Sequence, residues 1–498
     1  MPENLTSLSG HKKQFQTEAM KVPVIFHASE KLLPGEETFR ELENLAGDGR
    51  LFSHIAALSD VHSKKGRKSP TGAVAATENH FLPQINDTAP NCGMRLIKTD
   101  LDEGNLSQDK IDDIFKKFVE AVPTKKYIGT KIPCGISLEI CRNGIAPLLT
   151  HIKSRTKNEI ENSFSRGNLF GAEIPSTREI MDVIPELFIK IASWRLGILG
   201  AAGNHFLDLM RVSGIQEEVT AAAFGLKRGQ YVFLMHTGSG LIGQYASYMF
   251  TPKTNEHFSQ KVMLKIGTAT FRSQMKKVYI ELAKKIKAFR DKDDFFGLEA
   301  DSLEGRMFIR SHWAAGNFGF ANRSMITHNL DEALESVLGR QVILDQLYDT
   351  PHILVNHENH FGRDLWIHRN GAVRANGPAR MASHPLFSKT GEPVFIPSSM
   401  STPAYIGVGT DLNASAFFSA GHGTGRRRQT EDSGPKNKKE LFERVSQKNV
   451  KLYNAKSKGI LLQDSAYYKD IDEVISGMAE NNIIKVVAKM EPVAVLMY

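Results

Sequence analysis

Apolar residues along this chain recur in two rhythms. Short unbroken runs with β-branched residues, QYVFLMH at 230–236, RQVILDQLYD at 340–349 and IIKVVAKMEPVAVLMY at 483–498, read as buried strands. In MLKIGTATFRSQMKKVYIELAKKIKAFRDK (263–292) and ITHNLDEALESVLGR (326–340) the apolar residues return every three or four positions, the spacing of helices. The mixture predicts an α/β fold of mixed α+β type. No repeat divides the chain, and the one linker-like piece is TEDSGPKNKKE at 430–440. Histidines follow the apolar runs, where loops leave strand ends and functional groups collect.

With 498 residues, 41% hydrophobic and 24% charged, the chain has the make-up of a soluble enzyme with a large core. A net charge of +8 makes its surface attractive to polyanions. Cys92, Cys134 and Cys141 are too few and too scattered for a disulfide scaffold, which favours a reducing compartment. The opening MPENLTSLSGHKKQFQ lacks an apolar targeting core, and no run is long enough to span a bilayer. A cytoplasmic protein without a membrane partner is expected.

The stretch FFSAGHGTGRRR, residues 417–428, sets His422 among small residues and follows it with Arg426, Arg427 and Arg428. Glycines let a ligand come close to the ring, and guanidinium forks match phosphate. A surface turn with a solvated basic run fits the same letters. His205 in GILGAAGNHFLDL, His236 in VFLMHTGSG, His352 after LYDTP and Cys92 in APNCGMRL are soft donors suited to a transition metal. No two of them have short ligand spacing, so by spacing alone each reads equally as a hydrogen-bonded structural residue.

Taken together and in order, these segments resemble one family, the RtcB RNA ligases, which join RNA ends using GTP and manganese. SDVHSKKGRKSPTGAVAAT, PQINDTAPNCGMRL, LGILGAAGNHF, VFLMHTGSG, WAAGNFGFANR, LYDTPH, HRNGAVRA, PSSMSTPAY, SAGHGTGR and AYYKDIDEV follow in family order from about residue 59 to the C-terminus. The resemblance implies one large RtcB-like catalytic domain at 59–498, central sheets flanked by helices, with residues 1–58 as its N-terminal extension. It implies that Cys92, His205, His236 and His352 hold Mn2+ and that His422 attacks GTP and carries GMP. Asn204, His205, Phe206, Leu207, Asp208, His352, Pro397, Ser398, Ser399, Met400, His422, Gly423, Thr424, Gly425 and Tyr468 would bind the nucleotide, and Arg426 would face RNA phosphate. The implied partner is RNA with a 3′-phosphate or 2′,3′-cyclic phosphate and a 5′-hydroxyl, with an archease-type protein as a candidate activator.

The chain departs from the family at several positions, among them Asp208, which stands where the family has glutamate. Ala89 replaces an aspartate, with Asp87 nearby; Gly240 and Leu241 stand where an arginine is expected; Ala404 replaces a serine; and Met497 replaces a lysine against the guanylate. Loss of a carboxylate at 89 points to a stronger metal site at Cys92, His236 and His352 and a weaker one using His205. The alternative reading is an RNA- or metal-binding pseudoenzyme, or an RNA-end repair paralogue without full ligation. A pure binding module has no use for a nucleophile in a glycine cradle, which favours the ligase. An unrelated metallohydrolase would form no covalent nucleotide.

Overall fold

Strands Leu344–Pro351, Gly93–Asp102, Gln230–Thr237, Phe206–Ile215, Ile484–Met497, Ala404–Gly409 and Pro393–Ile396 lie side by side in that order, every neighbouring pair antiparallel. Lys451–Asn454 adds a parallel pairing to Ile484–Met497. The computed structural model describes residues 4–86, 88–124, 128–200, 204–253, 258–271, 273–290, 292–427 and 434–498. Gly93–Asp102 and Gln230–Thr237 are almost wholly buried, because the sheet is covered on both faces. On one face Leu207, Leu209, Phe233 and Met235 pack with Phe115 and Phe118 of helix Gln108–Ala121 and with Ile326 and Leu330. On the other, Phe206, Met210 and Leu234 belong to the larger core.

A second sheet runs Leu5–Ser7, Lys12–Phe15, Val24–His27, Leu51–His62, Thr71–Thr77, Arg363–Asn370 and Ile353–His360. The strand Leu51–His62 passes through residue 58 unbroken. Ile353–His360 begins two residues after Leu344–Pro351 ends, so His352 is the hinge between the two sheets.

Helix Leu303–Leu338 packs against Gly93–Asp102 and Gln230–Thr237 of the first sheet and Ile353–His360 of the second. Ser302 caps its start by accepting from the Gly305 amide, and Gly339, with φ near +67°, ends it in the left-handed region that glycine favours. A Cβ at Gly319 would lie 2.7 Å from the carbonyl of Asn91, so this close approach requires glycine.

The fold class is the mixed α/β expected, with corrections to single elements. The helix placed at 326–340 begins at Leu303, and the run at 340–349 becomes strand only from Leu344. The basic helical stretch is two helices, Phe258–Thr270 and Ser273–Ala288. The linker-like piece already contains the start of helix Lys438–Ser446, capped by Asn437; its residues 430–433 lie outside the described residues. Among the described residues no helix is long and apolar enough to cross a membrane.

Candidate active site

Antiparallel register brings four separated residues to one end of the first sheet. Gly93 stands opposite both Thr237 and Pro351, and Phe206 opposite His236. Cys92 and His205, which precede their strands, therefore meet His236 and His352 at the ends of theirs. Cys92 Sγ lies 3.4 Å from His205 Nε2 and 3.2 Å from His236 Nε2, and His236 Nε2 lies 2.9 Å from His352 Nε2.

Hydrogen bonds decide which ring nitrogens face inward. His205 Nδ1 donates to the Leu199 carbonyl at 2.8 Å and His236 Nδ1 to that of Asn204 at 2.8 Å, so each neutral ring turns its Nε2 lone pair toward the cluster. Burial keeps these rings neutral: it lowers His205 to about 4 and takes His236 and His352 well below the ordinary value. The same burial pushes the Cys92 thiol up to about 11. A cation would release that thiol proton and separate the facing lone pairs. His352 Nδ1 is buried without a hydrogen-bond partner among the described residues.

The donor set fits a metal ion. In a tetrahedral site with bonds of 2.0–2.3 Å, donors sit about 3.3–3.6 Å apart. The separations here are of that order, slightly contracted. Cys92, His236 and His352 form one group with mutual donor separations within 4.8 Å, and His205, outside that group, meets it through its 3.4 Å contact with the sulfur.

His422 leaves the short strand Ser419–Gly421, which pairs with Ala372–Arg374. Its ring stacks on His352 at 4.4 Å between centroids. Its Nδ1 lies 2.8 Å from Asp60 Oδ2 and 2.7 Å from the Gly371 carbonyl. Both partners accept only, so Nδ1 carries the proton and Nε2 holds the lone pair. Asp60 also accepts from the His422 backbone amide at 3.2 Å, and its side chain is fully buried. Lys469, buried nearby, donates to the carbonyls of Leu32, Ser59 and Val61 and so clamps the strand carrying Asp60.

Cluster and histidine open into one cavity of about 830 Å³. Asn204, Phe206, Asp208, Pro397, Ser398, Ser399, Met400, Gly423, Thr424, Gly425, Arg426 and Tyr468 all line it. Leu207 does not: strand alternation sends its side chain to the opposite face, among Leu209 and Phe233. Arg426 turns inward, donating to the Leu462 carbonyl, Gln463 and the Tyr468 hydroxyl. Arg427 is exposed, and Arg428 and Asp87 lie outside the described residues. Sequence reasoning missed Asp60 and the basic turn Lys64, Lys65 and Arg67, which lines the same cavity. The letters KKGRK were the signal for that turn; Asp60 had none beyond sitting in SDVH.

At the apolar end stand Met210, Leu234, Met400, Ala404 and Met497, with Asp208 among them. One oxygen of Asp208 has no hydrogen-bond partner among the described residues, and burial holds its carboxyl well above the usual range. The folded state therefore keeps a proton that the unfolded chain releases near pH 4. The stability that this proton confers is complete below that pH and is lost as pH rises through the folded value. Asp208→Asn, which has no charge to bury, is expected to flatten this decline, and thermal melts of both proteins from pH 4 to 9 check it. Parallel melting curves would remove Asp208 as the cause.

The mixed α/β scaffold sets an oriented histidine beside a thiol and imidazole donor set, an arrangement of the kind enzymes use. The sequence pattern described as "tRNA-splicing ligase RtcB" matches residues 41–497. The chain belongs to the RtcB family. It is 27% identical to the tRNA-splicing ligase RtcB of Nanoarchaeum equitans, over 96% of this chain and 95% of that protein. Against the proteins of that name from Methanococcus maripaludis and Archaeoglobus fulgidus it is 26% and 27% identical, again over 96% of this chain, and over 95% and 94% of theirs.

Proposed function

We propose that this chain is an RNA ligase that joins a 3′-phosphate or 2′,3′-cyclic phosphate end to a 5′-hydroxyl end by way of GMP carried on His422. The observation that carries the reading is the clamping of His422 Nδ1 by Asp60 and Gly371, which leaves Nε2 as the nucleophile inside a cavity that also holds the donor cluster. In the first step Nε2 bonds to the α-phosphorus of GTP and the bond to the β-phosphate oxygen breaks, releasing pyrophosphate. Asp60 keeps the Nδ1 proton in place and steadies the positive charge that develops on the ring. An oxygen of the RNA 3′-phosphate then attacks the same phosphorus and the P–N bond breaks, restoring His422. Finally the 5′-hydroxyl attacks the activated 3′-phosphorus, loses its proton and expels GMP. A cyclic phosphate is first opened by water.

Cys92, His236 and His352, with His205 beside them, would hold Mn2+. Bound there, a divalent cation supplies charge neutralisation at the phosphates. A thiolate with imidazoles also suits zinc and cobalt, so a panel of metals belongs in the test. Asp208 and the apolar end would take the base. Lys64, Lys65 and Arg67, which line the cavity, would face the phosphates, and an archease-type activator would raise turnover.

With radiolabelled GTP and Mn2+, the protein is expected to label itself. The adduct should survive alkali, be lost in acid and be absent from His422→Ala, as a denaturing gel can show. Wild-type protein that stays unlabelled in millimolar GTP with every metal of the panel would overturn the ligase reading and leave the binding-protein alternative.

A further inference from the structure

Each metal-binding residue of the cluster sits on a different segment, so something must hold those segments together before any ion arrives. Backbone bonds do part of it. The amide of His352 donates to the Cys92 carbonyl at 2.9 Å, and that of Asn91 to the Ile353 carbonyl at 2.9 Å. The rest converges on one side chain from the long helix, Arg323, which is fully buried.

Its guanidinium touches three segments at once. Nη1 donates to the Thr237 carbonyl at 2.8 Å, next to His236, and to the Asn91 carbonyl at 3.3 Å, next to Cys92. Nη2 donates to Asn91 Oδ1 at 2.8 Å. Nε donates at 2.8 Å to Asp349 Oδ1, on the strand that leads to His352. Asn91 is held in turn: its Nδ2 donates to the carbonyl of Gly316, two turns before Arg323 on the same side of the helix, and its own φ is +51°. A Cβ at Gly93 would lie 3.0 Å from the guanidinium, so the segment is packed down onto it.

We propose that Arg323 is the positioning residue of the metal centre: its planar fork fixes Cys92, His236 and His352 at mutual bonding distance without touching the ion. The inference rests on the metal reading of the cluster. Lysine cannot replace it, because a single ammonium on a flexible stem cannot reach two backbone carbonyls, an amide oxygen and a carboxylate together. Removing the fork need not unfold the chain. Asp349 keeps a second cation, since Arg95 Nε donates to its other oxygen at 2.7 Å.

Arg95 supplies the control. It stands on the strand that follows Cys92, is equally buried in the same ion-pair network and binds Glu159, Thr327 and Ser324 as well as Asp349, but among the described residues no hydrogen bond of its guanidinium reaches Asn91 or Thr237, the neighbours of Cys92 and His236. The experiment titrates Co2+ into apo wild type, Arg323→Lys, Arg323→Gln and Arg95→Lys, reading both affinity and the thiolate-to-cobalt charge-transfer band, and records the melting temperature of each apoprotein. Both Arg323 variants are expected to bind about 10- to 100-fold more weakly, as loss of a supporting contact around a ligand does, with the band weakened or shifted. Arg95→Lys should melt lower with affinity and band intact. If the Arg323 variants do not fold, Asn91→Gly, whose backbone conformation suits glycine, should show the same spectral change in milder form. Wild-type affinity and band in an Arg323 or Asn91 variant would overturn the inference, as would an equal loss in Arg95→Lys. A wild type that gives no thiolate band at all would defeat the metal reading itself, which is a different result.

Discussion

Asparagine at position 60 is expected to slow the guanylylation of His422 by about 10²- to 10⁴-fold, the scale of effect when a buried aspartate that orients a catalytic histidine becomes an amide. Asp60 Oδ2 accepts from both Nδ1 and the backbone amide of His422, at 2.8 and 3.2 Å. An amide has two ways to sit there, and both fail. Turned with its NH2 toward Nδ1, it opposes the proton that the Gly371 carbonyl still accepts and so disfavours the tautomer that leaves Nε2 its attacking lone pair. Turned with its oxygen inward, it keeps the tautomer but loses the negative charge that steadies the ring as the P–N bond forms. Single-turnover labelling with GTP checks this, with cobalt binding and melting temperature confirming that cluster and fold persist. A variant that labels within threefold of wild type would show that Asp60 plays no part in the step.

Lysine at position 497 is expected to lower the GTP needed for half-maximal labelling by one to two orders of magnitude. Met497 stands opposite Phe206 in the sheet, and Val495 opposite Asp208, so residues 497 and 208 are diagonal neighbours within reach of a long side chain. Both line the cavity, and one oxygen of Asp208 is unpartnered there. An ammonium would hold that carboxyl ionised and add a charge-assisted hydrogen bond to a bound nucleotide, worth roughly 1.5–3 kcal/mol. That corresponds to about 10- to 150-fold in affinity. The measurement is the GTP dependence of adduct formation in wild type and Met497→Lys. Unchanged GTP dependence with normal folding would place the base elsewhere in the cavity.

Strands were legible wherever apolar runs were short and β-branched, and with them the positions of His236 and His352 at strand ends. The neighbour relations were not. Phe206–Ile215 pairs with Ile484–Met497 across most of the chain, and no local pattern encodes that partner. The first half of the long helix also escaped, since WAAGNFGFANR is buried nearly all round and carries no one-sided stripe. His422 stood out because its neighbours are small. Asp60 and Arg323 did not, because an acid and a base whose partners lie far away in the chain look in sequence like any other charged residue.

The sheet order has a consequence for biosynthesis. Strand Phe206–Ile215 is followed by roughly 270 residues before its partner Ile484–Met497 leaves the ribosome, an interval of about 13–54 s at 5–20 residues per second. Throughout that time one edge of a largely apolar sheet has no strand to pair with, the condition that invites intermolecular pairing. The nascent chain thus carries an unpaired strand edge beside the cysteine and imidazoles of the cluster. Thr71–Thr77 likewise waits roughly 285 residues for Arg363–Asn370, so both sheets call for shielding by chaperones until late in synthesis.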